Sequence, residues 1–266
     1  ATLAQAHSLV TTNKGDVIYL LPGHSETYAS AAAISLTKSG FSVIGIGTGT
    51  RRPVFYAITA TTATFAISGS NVTFKNVKFD GATHASGIDA VAVMVDVTAG
   101  DGHVFDGCYF VQSVAGGTVI ALIGLRFAAA CDEATVVNCT AISPTLKATQ
   151  WLQVVGSAAS ERHKIQNNYV FGNYLVACVN NITSGIRQAS VKGNVLVNTS
   201  SRSNGSGIMM RLHASSNGHI DYNTGQAGAS VSVGVNAIIA AGCTFGQNHA
   251  ANLVNETGKI VKAASS

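Results

Sequence analysis

Charged residues are scarce. Only 28 of the 266 residues are charged (16 Lys and Arg plus 12 Asp and Glu), where a soluble domain of this length would carry roughly 66. A helical bundle dresses its exposed faces in Glu and Lys, and a disordered chain needs high net charge with few apolar residues. A chain that is 47% apolar and this poor in charge fits neither. Proline supplies three residues and tryptophan one, and no apolar run approaches the ~18 residues of a membrane-spanning helix. The five cysteines (Cys108, Cys131, Cys139, Cys178, Cys243) lack CxxC spacing and are odd in number. They read as buried thiols, not as a zinc site or a disulfide framework. Bases never run longer than Arg51-Arg52, so the net charge of +4 is spread too thinly for a nucleic-acid surface. Residues 1–16 show neither a basic n-region nor an apolar h-region, so no signal peptide is expected.

Glycine is what the chain has in plenty, 28 residues or about 10% against a usual ~7%, and it recurs in a pattern. The segments NVTFKNVKFDG (from Asn71), GHVFDGCYFVQ (from Gly102), EATVVNCTAIS (from Glu133), RHKIQNNYVFG (from Arg162), QASVKGNVLVN (from Gln188) and NGHIDYNTGQA (from Asn217) align without gaps. VIYLLPG and FSVIGIG upstream and GCTFGQNHA downstream fit the same frame, giving nine copies. A reference column runs through Leu21, Ile46, Val77, Cys108, Cys139, Asn168, Asn194, Asn223 and Asn248, spaced 25, 31, 31, 31, 29, 26, 29 and 25 residues apart. Three positions earlier stands an apolar column: Ile18, Val43, Phe74, Phe105, Val136, Ile165, Val191, Ile220 and Phe245. One position earlier, from the second copy on, come Gly45, Asn76, Gly107, Asn138, Asn167, Gly193, Tyr222 and Gln247. Most of these are the residues that best tolerate positive φ. Each copy therefore reads as a short strand, a sharp bend and a second strand.

Such a unit cannot bury its apolar face alone; stacking the copies joins the apolar columns into one core. The expectation is an all-β parallel solenoid of about nine coils, a rod roughly 40 Å long. It divides into a cap over residues 1–14, the solenoid over 15–258 and a loose tail over 259–266. Thr2 to Val10 would form a short N-terminal capping helix that covers the exposed strand edge. Asn168, Asn194, Asn223 and Asn248 would stack as an amide ladder. Lys75 with Asp106, and Lys192 with Asp221, would pair across adjacent coils on the outside. His103 and His163 share a column two coils apart, about 10 Å, too far to ligate one metal. The run Gly45, Gly47, Gly49 suggests a phosphate loop, but RRP follows it where a helix would be required, so the glycines read as bends.

The segment GDVIYLLPG (Gly15 to Gly23), Glu26 and SVIGIGTGTRRPVF (Ser42 to Phe55) resembles the first coils of right-handed parallel β-helix proteins of the pectate-lyase-like superfamily. LLPGHSET with GIGTGTRRPVF is similar to β-helix proteins encoded among bacteriophage virion structural genes. The resemblance implies a right-handed β-helix and a place in the virion. With the sparse charge, it implies a decoration or cement subunit on the head surface, with a tail-fibre or spike component as the nearest variant, a homotrimer packed against the major capsid protein or other virion proteins, with neither nucleic-acid nor membrane partners. Glycan binding is compatible with it.

The contrasting expectation is a polysaccharide lyase or glycoside hydrolase. Seven residues before the reference column, three consecutive copies carry Asp101, Asp132 and Glu161 and the next carries Arg187, with Glu133 and Arg162 beside them. Acids on adjacent coils would lie about 5 Å apart, the separation of a retaining glycosidase pair, and such a cluster could also take Ca²⁺. No aromatic platform or nearby His completes the site, so these residues read first as loop charges, with no catalytic residue, metal or cofactor expected.

Overall fold

Short alternating segments separated by positive-φ residues must turn a corner at each bend, and every copy turns it in the same place. The computed structural model describes residues 1–87, 89–128, 131–144, 148–155, 160–181, 183–200, 208–227, 238–240, 242–252 and 259–260. They wind as a right-handed parallel β-helix with three parallel sheets. The first holds nine strands, from Val17–Leu20 to Thr244–Phe245. The second runs from Ser25–Tyr28 to His249–Asn252, and Lys259–Ile260, from the stretch expected to be a loose tail, adds a strand antiparallel to its end. The third holds eight strands, from Ile34–Leu36 to Ile238–Ile239. Among the described residues about seven turns therefore carry three full strands, fewer than the nine coils expected: the eighth third-sheet strand is two residues long and the described part of the ninth copy contributes to two sheets.

The apolar column is in register over its whole length, from Ile18 opposite Val43 to Ile220 opposite Phe245. Around the third and fourth copies the core between the first and second sheets is aromatic. Phe74 stacks on Phe105 (5.5 Å, 10°), and Phe79 stacks on Phe55 (6.0 Å) and Phe110 (5.4 Å). The bend column adopts positive φ in six consecutive copies: Asn76, Gly107, Asn138, Asn167, Gly193 and Tyr222. The first two copies differ. Gly45 ends a strand, and positive φ shifts to Gly47 and Gly49; Leu21 and Ile46 consequently lie exposed, not inward. A side chain at Gly45 would collide with the Asn76 carbonyl, and the Asn76 amide clasps the carbonyls of Gly45 and Gly47 at 2.8 Å.

Inside the bend the reference column changes chemistry along the rod. Nδ2 of Asn168, Asn194 and Asn223 each donates to Oδ1 of the next Asn at 2.8–2.9 Å. The same amides donate to Val136, Ile165 and Val191 carbonyls of the preceding apolar column. Cys108 and Cys139 precede them, buried and unbridged, and aim their thiols at the equivalent carbonyls of Phe74 (3.6 Å) and Phe105 (3.4 Å). The thiol thus occupies the place of the amide as a weaker donor.

The helix forms over Leu3–Leu9, started by a capping box between Thr2 and Gln5. It covers the core with Leu3 and Val10. Glu26 accepts its Leu3 N–H (2.8 Å), and Lys38 Nζ caps the Ser8 and Val10 carbonyls. The helix packs on the third sheet's first strand. Among the described residues the open side of the first strand of the first sheet has no β partner, and Val17 and Tyr19 of that strand are exposed. Outside, Lys75 pairs with Asp106 at 3.2 Å. Asp221 turns instead to the backbone N–H groups of Tyr222 and Gln247 (3.0 and 2.6 Å), so the expected pair with Lys192 does not form.

His103 and His163 both point inward, fully buried. Burial lowers the pKa of both, that of His163 to about 4. The unfolded chain takes up the His163 proton near its ordinary 6.5, so protons favour unfolding between the two values. Stability is full above pH 6.5 and falls as pH drops toward 4, by roughly 3 kcal/mol from His163 alone. Urea midpoints measured from pH 7.5 to 4.5 should decline, and a His163→Leu variant should decline less steeply. An unchanged slope in that variant would refute the assignment.

Candidate corner groove

The corner that leads from the third sheet into the first carries the acidic column, and it is built from two ladders. In the outer one, each side-chain oxygen accepts the N–H of the residue one coil on. Ser39 takes Ser70 N (2.9 Å), Ser70 takes Asp101 N (3.3 Å), Asp101 takes Asp132 N (2.8 Å) and Asp132 takes Glu161 N (2.8 Å). Ser and Asp are short enough to reach that N–H. Glu161 is one methylene longer, and its two oxygens meet Arg187 Nη2 (2.9 Å) and Arg162 Nη1 (2.8 Å). Arg162 also pairs with Glu133 at 2.9 Å, and that bond raises its pKa. The structure therefore brings Asp101, Asp132, Glu161 and Arg187 together on one line, joined to backbone or to one another.

The inner ladder was not apparent from sequence. One residue further on, seven successive coils adopt positive φ: Gly15, Gly40, Asn71, Gly102, Glu133, Arg162 and Gln188. Glycine and asparagine take this conformation readily; Glu, Arg and Gln do not. They are held there by N–H bonds to the following coil, Glu133 to the Glu161 carbonyl and Arg162 to the Arg187 carbonyl (2.8 Å each), and Gln188 to Asn217 Oδ1 (2.7 Å). The glycines at the first positions were the available signal, obscured by the three long polar residues that follow.

Beside this corner runs a groove of about 610 Å³ lined by Asn71, Gly102, Glu133, Arg162, Lys164, Gln188 and Ser190. Its polar groups suit hydrogen bonding to a hydroxyl-rich ligand, with Lys164 on the strand face as an added cation. Acid–base cleavage would need a carboxyl free to hold and release a proton, whereas the acids here are engaged. Among the described residues, no three His, Cys, Asp or Glu side chains converge as a metal would require.

No protein-family model matches the sequence, and no curated protein matches it. Solved structures do. A mutant tailspike protein of E. coli bacteriophage HK620 in complex with a pentasaccharide aligns over 99% of this chain and 60% of its own, with 12% identity and a TM-score of 0.51. A double mutant of the same tailspike aligns over 98% and 59%, with 12% identity and a TM-score of 0.50. ORF18 of Geobacillus virus E2 aligns over 94% and 57%, with 13% identity and a TM-score of 0.41. The chain thus spans less than two thirds of the length of these proteins. At such identities the likeness is one of fold, and that fold is the right-handed parallel β-helix.

Proposed function

We propose that this chain is a structural β-helix of a bacteriophage particle, a head-surface decoration or cement subunit that works through rigid shape and contacts and performs no chemical step. The observation that carries this reading is the engagement of the acidic column: Asp101 and Asp132 accept backbone N–H groups and Glu161 is clamped by two guanidinium groups. Those carboxylates hold coils together. The tailspike likeness supports a phage setting by fold. An apolar outer row on the second sheet supports assembly: Ile142, Phe171 and Val197 are adjacent in it, and Phe171 is exposed. A patch of this kind is buried most economically in a closed symmetric oligomer, here a homotrimer seated on the major capsid protein. Light scattering of the purified chain should give three times the monomer mass. The protein should also co-sediment with particles at a stoichiometry set by icosahedral symmetry; its absence from purified particles would sink the proposal.

The line of Asp101, Asp132, Glu161 and Arg187 beside the corner groove supports a second reading, a lyase or glycosidase acting through these four residues. The two readings differ in what Asp132→Ala does. A structural carboxylate leaves the Glu161 N–H without its acceptor and costs about 1–2 kcal/mol, with no cleavage to lose. Incubation with acidic and neutral polysaccharides, with and without Ca²⁺, checks this against an Asp101→Ala, Asp132→Ala, Glu161→Ala variant. Cleavage by the parent that vanishes in a still-folded variant would overturn the structural reading.

A further inference from the structure

A second cleft, of about 490 Å³, opens on the outer face of the second sheet among Gly49, Thr50, Arg52, Lys78, Tyr109 and Thr140. Arg52 is fixed between the tight turn Gly49–Arg51 and Pro53, its N–H bonded back to Gly49. Its guanidinium lies over the Tyr109 ring, 5.6 Å from the centroid. Its Nε is buried with no hydrogen-bond partner, and Arg52 takes part in none of the ion pairs among the described residues. The neighbouring cation is neutralised: Lys78 Nζ is 2.7 Å from Asp80, whose fully buried carboxylate also accepts Ala82 N, Thr83 N and Thr83 Oγ1. The cleft therefore holds one uncompensated, pre-positioned guanidinium. Such a group matches a planar carboxylate or a sulfate.

The same outward row continues Lys78, Tyr109, Thr140, Tyr169. Tyr169 stands two coils beyond Tyr109, about 10 Å along the rod, with its ring exposed. A cation, a hydroxyl and an amphipathic ring thus lie in line, and the ligand that fits carries an anion at one end and apolar ring faces bordered by hydroxyls along its length. We propose that this row binds, without cleaving, an oligosaccharide bearing a carboxylate, with the acid on Arg52 and a following sugar on Tyr169. The site is separate from the corner groove and independent of the acidic column.

Titration calorimetry of the full chain tests it with three probes: a glucuronate-containing oligosaccharide, the same oligosaccharide with its carboxylates reduced to alcohols, and a single-stranded DNA oligomer as the competing stacked polyanion. The acidic sugar should bind, and the reduced one at least ~10-fold more weakly. Arg52→Gln should lose a similar factor for the acidic sugar only. Tyr169→Ala should weaken both sugars, and all variants should keep the parent melting midpoint. Arg52→Lys should recover only part of the binding, because a point charge lacks the fork. Equal binding of acidic and reduced sugars, indifference to Arg52→Gln, tighter binding of the DNA, or no binding of the acidic sugar would each overturn the proposal.

Discussion

Replacing Phe79 by alanine is expected to remove about 4 kcal/mol of stability, the largest effect of any single substitution considered. The ring is fully buried and meets four others, those of Phe55, Phe65, Phe74 and Phe110, at 5.4–6.0 Å. Two of these lie nearly parallel to it and two nearly edge-on, so the deletion removes both the transferred area and oriented ring contacts. Parallel strands on either side are fixed by their ladders and cannot close over the gap. A denaturant midpoint measured at unchanged slope reads the loss directly. Phe79→Leu, which keeps most of the volume, should cost about 1 kcal/mol. Phe171→Ala, on the exposed face, should cost less than ~1 kcal/mol in the isolated chain. In a solenoid each coil touches only its neighbours, so hydrogen exchange should accelerate first around Phe55, Phe79 and Phe110 and last near Asn194. A loss below ~1.5 kcal/mol for Phe79→Ala would mean that the aromatic stack is not what holds this part of the rod.

The second large effect is expected at Asn194, also about 4 kcal/mol for Asn194→Ala. Its Oδ1 accepts both the N–H (3.0 Å) and the Nδ2 (2.9 Å) of Asn168, and its Nδ2 donates to the Ile165 carbonyl and to Asn223 Oδ1, both at 2.8 Å. Alanine strands the Asn168 donors and the Ile165 carbonyl in a dry interior, and each orphan costs about 1–3 kcal/mol. Asn194→Asp separates hydrogen bonding from packing. It keeps the acceptor but sets a carboxylate oxygen against two acceptors, so it should be strongly destabilised at pH 7. Protonation restores a donor, and the gap to the parent should narrow as pH falls toward 4. The variant keeps His163 and shares the parent's loss over that range, so the difference between the two curves, not the slope of either, reads the effect of Asn194. A gap independent of pH would show that Asn194 acts through its volume alone.

The reference and apolar columns were legible in the sequence from the third copy on, and the bend column from the third copy to the eighth, with Gln247 of the ninth not taking positive φ, because strand alternation and positive-φ preferences are local properties that repeat in step. Where they fail, the reason is again physical. Leu21 and Ile46 were aligned with buried residues but lie outside, since the first two copies take positive φ later than the aligned bend position, at Gly23 and at Gly47 and Gly49. The second pair expected to form, Lys192 with Asp221, lost to the backbone: Asp221 has two N–H groups within reach, and a neutral donor held in place outcompetes a flexible surface cation.

For the two candidate sites the division is sharper. The sequence alone determined that Asp101, Asp132 and Glu161 share a column and that Lys78, Tyr109, Thr140 and Tyr169 share another, because one alignment frame fixes both. Only the tertiary structure decided which groups those columns meet. Whether an aspartate at a corner faces solvent or the N–H of the next coil depends on how far each coil is offset from its neighbour, and a spacing that varies from 25 to 31 residues leaves that offset open. The positive-φ corner at Glu133, Arg162 and Gln188 runs against the preference of each residue and exists because the coil beyond supplies the acceptors. Arg52 over Tyr109 joins residues 57 positions apart through a turn whose path no local rule sets. Alternation is a property of the chain; which polar group meets which is a property of the stack.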